Sequence, residues 1–193
     1  MKKQIISMAI WCGLSVAAEA APEQQYVALN IGSAKYANAT LAGNDYPNPY
    51  SLDLAYGYKF AADWFAEIGC TQFGNSILNE NVQGVSTRGN IMANATHAAA
   101  VGFLPVTPSF SVFAKAGYTF NISQLNLTQS NATSTSGANR GDLYYGAGGS
   151  YHINDTLSIR LQYENFGSFG PFAATEKDLI VEVVSLGLVH YWK

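Results

Sequence analysis

The sequence predicts an all-β chain, eight antiparallel strands wound up and down into a transmembrane barrel. Three observations carry that expectation. Of 193 residues only 12% are charged, while 48% are hydrophobic and 13% aromatic; a soluble domain carries about 25% charged residues. Mean hydropathy is nevertheless close to zero, too low for a bundle of apolar helices. Apolar residues then alternate with small or polar ones at a period of two, the mark of strands whose two faces meet different surroundings. Finally, the connections between these segments alternate between short and long.

Residues 1–20 read as a secretion leader and residues 21–193 as one barrel domain. Lys2 and Lys3 open the leader, an apolar stretch runs from Ile5 to Ala18, and Ala18-Glu19-Ala20 fits a small-x-small cleavage site. The apolar stretch is shorter than the roughly 20 residues of a spanning helix. Removing the leader takes away Lys2, Lys3 and Glu19, leaving eight basic and twelve acidic residues and one cysteine, Cys70. A lone thiol cannot staple the fold internally. No basic cluster remains to neutralise phosphates, which argues against nucleic acid, and the aromatic content argues against disorder.

The first strand falls near 25–36 and is followed by a long connection, 37–49. Residues 52–60 alternate most cleanly: Leu52, Leu54, Tyr56, Tyr58 and Phe60 share one face, and Ser51, Asp53, Ala55, Gly57 and Lys59 the other. A short turn, Ala61-Ala62-Asp63, leads to a third strand near 64–73. The long stretch 74–95 separates it from a fourth, 96–105, and 106–109 turns into the fifth. There Val112, Ala114, Ala116, Tyr118 and Phe120 oppose Ser111, Phe113, Lys115, Gly117 and Thr119. After the loop 121–141 come a sixth strand, 142–153, the turn Asn154-Asp155-Thr156, and a seventh. In the seventh, Leu157, Ile159, Leu161 and Tyr163 alternate with Ser158, Arg160, Gln162 and Glu164. A last long connection, 167–178, precedes the closing strand at 179–192. Each segment is close to the 9–11 residues a tilted membrane strand needs, and short turns opposed to long polar loops describe an outer-membrane barrel.

Alternation alone allows a soluble barrel with its apolar face inside. The polar faces decide against it, because a solvated face would be dense in Lys and Glu. Instead glycines at 32, 57, 69, 102, 117, 146, 148 and 187 are expected mostly on the polar face, as a cramped lumen demands. Phe60, Trp64, Phe110, Phe120, Tyr144, Tyr163, Tyr191 and Trp192 cluster at strand ends, as interfacial girdles do. Six charges fall on the inward face: Asp53, Glu67 and Glu164 against Lys59, Lys115 and Arg160. An unpaired buried charge is costly, so these are expected to pair as a network that plugs an interior just wide enough for side chains.

The runs Tyr56-Gly57-Tyr58-Lys59-Phe60 and Asp63-Trp64-Phe65-Ala66-Glu67-Ile68-Gly69 resemble the second hairpin of the outer-membrane protein β-barrel family, the superfamily of the OmpA transmembrane domain, OmpX and the opacity proteins. Phe113-Ala114-Lys115-Ala116-Gly117-Tyr118 is similar to its fifth strand. Tyr145 to Tyr151 with Leu157 to Glu164 is similar to its sixth and seventh, and Ser185 to Trp192 to its closing strand. The resemblance implies residence in the Gram-negative outer membrane, export through the periplasm, contacts with outer-membrane lipids and lipopolysaccharide, and a monomer. It also implies that Trp192 is the terminal aromatic read by the barrel-assembly machinery, although Lys193 follows it. No peptidoglycan-binding domain follows the barrel, so a cell-wall anchoring role is not implied.

Three function classes follow. The first is a structural or surface-interaction role, envelope integrity or adhesion, through loops 37–49, 74–95, 121–141 and 167–178. The second is a narrow channel for small solutes or ions. The third, a lipid A-modifying enzyme, needs a His, Ser and acid gathered on one outward patch. His97, His152 and His190 are instead scattered, so no catalytic site, cofactor or metal is expected. The Asn-x-Ser/Thr triplets at Asn38, Asn94, Asn121, Asn126, Asn131 and Asn154 read as polar loops and turns.

Overall fold

The computed structural model describes residues 24–41, 44–82, 85–129, 132–171 and 178–192. The expected leader, residues 1–20, and Lys193 lie outside these. Its strands are β1 (Gln25–Ala37), β2 (Thr40–Leu41), β3 (Asn44–Asp45), β4 (Tyr50–Ala61), β5 (Trp64–Val82), β6 (Val85–Thr107), β7 (Phe110–Gln129), β8 (Ala132–His152), β9 (Leu157–Pro171) and β10 (Asp178–Trp192). β2 and β3 make a small hairpin of their own. The other eight form a closed antiparallel barrel, sealed where β1 pairs with both β4 and β10. Closure is what hydrocarbon requires, since lipid offers no partner to an unpaired backbone edge.

At one end the links are tight: Ala62–Asp63, Pro108–Ser109 and 153–156. In the last, the Asn154 side-chain oxygen accepts from the backbone N–H of Thr156 and of Leu157, both at 2.9 Å, a side-chain mimic of a turn. Gln25 at the start of β1 and Trp192 at the end of β10 pair at this same level. Leu29, Ile31, Leu52, Leu54, Ile68, Leu161, Leu186 and Leu188 point outward around the wall and are the lipid-facing band.

Two expectations are corrected. The stretches 74–95 and 121–141 are mostly ladder, not loop. β5 pairs with β6 up to Val82↔Val85, and β7 with β8 up to Gln129↔Ala132. Asn, Ser and Thr donate and accept through the backbone as well as any residue, and apolar side chains persist on alternate positions there (Ile91, Leu125). Thr135 Oγ1 also donates to Asn126 Oδ1 across the pair at 2.8 Å. The second correction concerns the aromatics: Tyr144 and Tyr191 are buried, whereas Phe60, Trp64, Phe110, Phe120 and Tyr163 face out. A strand-end position alone does not set the face; parity does. Of the glycines, Gly102 departs from the inward set and lies against Trp64 on the outer face. At Gly57 the close approach is real, because a Cβ there would run into the Tyr26 ring.

The interior is layered. Near the tight turns Tyr26, Phe65, Phe103, Phe113 and Tyr191 pack together. Near the open end Tyr36, Tyr46, Phe73, Ile91, Leu125, Tyr144, Phe166, Phe169, Leu179, Val181 and Val183 form a larger cluster. The charges lie between the two.

Candidate functional site

Two regions stand out: the charged belt inside the barrel and the sheet that rises above it.

In the belt, Lys115 on β7 is the hub. Its Nζ donates to Glu67 Oε1 at 3.0 Å and to Glu164 Oε1 at 2.8 Å. Arg160 Nη1 lies 3.2 Å from Glu67 Oε2, and the Tyr26 hydroxyl donates to the same oxygen at 2.6 Å. Tyr144 donates to Glu164 Oε1, and Gln162 Nε2 to Glu164 Oε2 at 2.8 Å. The Arg160 guanidinium sits 4.8–4.9 Å from the ring centres of Phe113 and Tyr26, the favourable stacked position for a cation. All five of these charged side chains, Asp53 included, are buried.

Asp53 takes a different set of partners. It accepts from Asn30 Nδ2 at 2.7 Å and Thr71 Oγ1 at 2.8 Å, and lies 4.0 Å from His97 Nε2. Lys59 does not reach the belt. It stands half-buried near the turn end, its Nζ 5.8 Å from the Phe65 ring centre. Its place near the end of β4 puts it beyond the level where the other inward charges meet. Trp192, half-buried, stacks near His190 and Tyr56 at 6.0 and 6.3 Å between ring centres. The sequence reading missed Tyr26, Tyr144, His97 and Asn30 as belt members. The parity of β1, β6 and β8 was the signal that could have found them.

At the turn end a cavity of about 400 Å³ is lined by Lys59, Phe65, Phe103, Ser111, His152 and Tyr191 among others. The His152 ring bridges two serines, with Nδ1 2.7 Å from Ser158 Oγ and Nε2 3.3 Å from Ser111 Oγ.

Above the belt the barrel is unequal. β5, β6, β7 and β8 stay paired as a four-stranded sheet well past the level at which β4 begins. The β8–β9 ladder stops at Tyr145↔Asn165, although β8 itself runs on to Ala132. Among the described residues, then, 132–144 of β8 have no strand on their β9 side. This edge carries Ala132-Thr133-Ser134-Thr135-Ser136-Gly137-Ala138-Asn139, short uncharged side chains with neither proline nor lysine.

β9 meanwhile bends inward over the lumen. Gly167 (φ 64°) and Gly170 (φ 99°) adopt the left-handed backbone that suits glycine, and the pairing with β10 shifts register twice. Phe166 and Phe169 are fully buried as a result. Asn121 Nδ2 donates to the carbonyls of Phe166 and Ser168 at 2.7 and 2.9 Å, and Ser123 Oγ to that of Phe169 at 3.0 Å. The Ser168 N–H donates to Asp142 Oδ2 at 2.7 Å.

A closed eight-stranded barrel with a lipid-facing apolar band, tight turns at one end and extended hairpins at the other defines a bacterial outer-membrane protein. The family model for the outer membrane protein beta-barrel domain matches residues 5–190, and the chain belongs to that family. Three solved structures illustrate the likeness. Ail, the attachment invasion locus protein of Yersinia pestis, in complex with the heparin analogue sucrose octasulfate, shares 17% identity over 89% of this chain and 100% of its own (TM-score 0.61). OprG of Pseudomonas aeruginosa shares 13% over 89% and 97% (TM-score 0.60). Neisserial surface protein A shares 15% over 86% and 96% (TM-score 0.57). At these identities the likeness is one of fold. A search of curated proteins finds no match.

Proposed function

We propose that this barrel is a surface-interaction protein whose working part is the β5–β8 sheet on the extracellular side, its lumen serving as a structural plug. The observation that carries this reading is the edge of β8, which above Tyr145 has no ladder partner among the described residues. A row of backbone N–H and C=O groups is complementary to another extended chain, and natural sheets normally blunt such an edge with lysine, proline or a bulge. Here none of these is present along 132–139, so an extended segment of a partner protein can add as a further strand. Charge does not favour a sulfated ligand of the kind seen with Ail. The described loop-side cations are few and dispersed, and Arg140 is already paired to Asp178 at 2.8 Å.

The remaining assignments belong to the same proposal. The outer band contacts membrane lipid and lipopolysaccharide, Trp192 is the mark for the assembly machinery, and the protein acts as a monomer and not as an enzyme. In support of the last point, His97 is enclosed in the lumen, and the hydrogen bonds of His152 go to Ser111 and Ser158, with no carboxylate beside them among the described residues. The plug reading rests on the belt together with the aromatic layers on either side of it.

The decisive experiment measures adherence of bacteria displaying the protein to surfaces coated with protein or with sulfated glycan. Ser136→Pro is expected to abolish adherence to protein while the barrel keeps its heat-modifiable migration. Undiminished adherence, or adherence to glycan alone, overturns the reading. In planar bilayers the purified protein is expected to show no steady conductance.

A further inference from the structure

β9 is held over the lumen by side chains of β7 and β8 beyond the point where its ladder with β8 ends. The β8–β9 register ends at Tyr145↔Asn165. Carried two steps further, it sets Leu143 opposite Gly167, and one more sets Asp142 opposite Ser168 and then Gly141 opposite Phe169. In the structure the Ser168 N–H is held by Asp142, through the carboxylate and not the backbone. Three carbonyls of the same segment, those of Phe166, Ser168 and Phe169, are held by Asn121 and Ser123 of β7. Side chains of β7 and β8 have thus taken over from the main-chain ladder. Glycines at 167 and 170 supply the points where the path departs from a strand.

We infer that residues 166–170 of β9 form a strap with two seats, one inside the lumen as seen and one on the edge of β8 at residues 140–144, and that the strap competes with an incoming strand for that part of the edge. The second half of this inference rests on the strand-addition reading above; the first half stands alone. Two features favour the inner seat. Phe169 is fully buried there, whereas a continued ladder would turn it to the outer face, since it lies at odd spacing from Phe166. Asn121 also donates to two carbonyls at once. Seated inside, the strap touches β8 through Asp142 and near Ala138 and leaves its backbone edge without a ladder there. Seated on β8, it closes the wall as far as residue 140 and blocks a partner strand over that stretch, giving up the contact of Phe169 with Phe73.

Hydrogen exchange of the refolded barrel in detergent tests the strap without any partner. In the unmodified protein the amides of 139–144 are expected to exchange fast on the side facing β9. In Asn121→Ala/Phe169→Ser those same amides should slow at least tenfold as the strap moves onto β8, with the ladders below Tyr145 unchanged. Asp142→Ala, which removes a single contact, should give a smaller slowing and guards against misfolding of the double variant. A Gly141→Cys/Phe169→Cys pair in a Cys70→Ala background should form a disulfide on oxidation, faster when Asn121→Ala is added. If the amides stay fast and no disulfide forms, or if they are already protected in the unmodified protein, the second seat does not exist. If the strap moves yet adherence to protein is unaffected, the competition fails, while the two seats remain and the strand-addition reading along 132–139 stands on its own test.

Discussion

The belt and the sheet above it use the same chemical groups to opposite ends. Within the belt Glu67 accepts from Lys115, Arg160 and Tyr26, and Glu164 from Lys115, Tyr144 and Gln162. Both carboxylates are saturated because a bare buried charge is intolerable, although Arg160 Nε and Nη2 and both ring nitrogens of His97 in the same belt have no hydrogen-bond partner among the described residues. Along β8 above Tyr145 the backbone groups have no ladder on one side among the described residues, where water can stand in for a partner at no great loss. The lesson is that burial, more than residue type, decides whether a charged acceptor is tied up within the fold or left to solvent.

The sharpest way to break that contrast is to cut the belt. Glu67→Ala strips Arg160 of its carboxylate and leaves Lys115 with Glu164 alone, and should cost about 3–5 kcal/mol, read from the urea midpoint of the refolded barrel. A loss under about 1 kcal/mol would mean that solvent already shares the lumen. The next effect should come at the clasp between the two regions. Asn121→Ala leaves the carbonyls of Phe166 and Ser168 without their donor and should cost about 1–3 kcal/mol, while Asn121→Ser should recover part of it. On the sheet itself Thr135→Ala removes only an exposed contact with Asn126 and should stay within about 0.5 kcal/mol; a larger loss would show that the sheet is part of the folding core.

The smallest effect is one of pH. Tyr46 lies in the segment between β3 and β4, and burial raises its hydroxyl to about 12 from an ordinary 10.0. The folded protein therefore keeps this proton longer than the unfolded chain. The stabilisation is complete below pH 10 and drains away as pH climbs toward 12. Tyrosinate absorbance gained between pH 10 and 12 should fall by one group in Tyr46→Phe.

The barrel and most of the belt were legible in the sequence because lipid and lumen enforce a strict two-residue rhythm between Ser51 and Phe60, Ser111 and Phe120, and Leu157 and Glu164. Lys59 obeyed the rhythm but not the depth, since alternation tells which way a side chain points and nothing of how far along the barrel its partners sit. The strap was hidden for a related reason. Phe166 and Phe169 are three apart, and the two positive-φ glycines break the rhythm just where the chain leaves the wall, so the stretch read as loop. The upper parts of β5 to β8 were masked by water, which removes the need for one face to be apolar.

The seam between β1 and β10 has a consequence in time. It joins Gln25 to Trp192, almost the full length of the barrel domain, whereas the hairpins β4–β5, β6–β7 and β8–β9 join near neighbours. Local pairings form readily and the distant one pays its loop-closure entropy last. Glu67 and Arg160 stand 93 residues apart in the chain, so they too meet only when the cylinder is nearly complete. Until that moment every intermediate carries inward charges without their partners and two raw edges in contact with lipid. Insertion is thereby driven toward an all-or-none finish, in which the last seam and the first complete set of ion pairs arrive together.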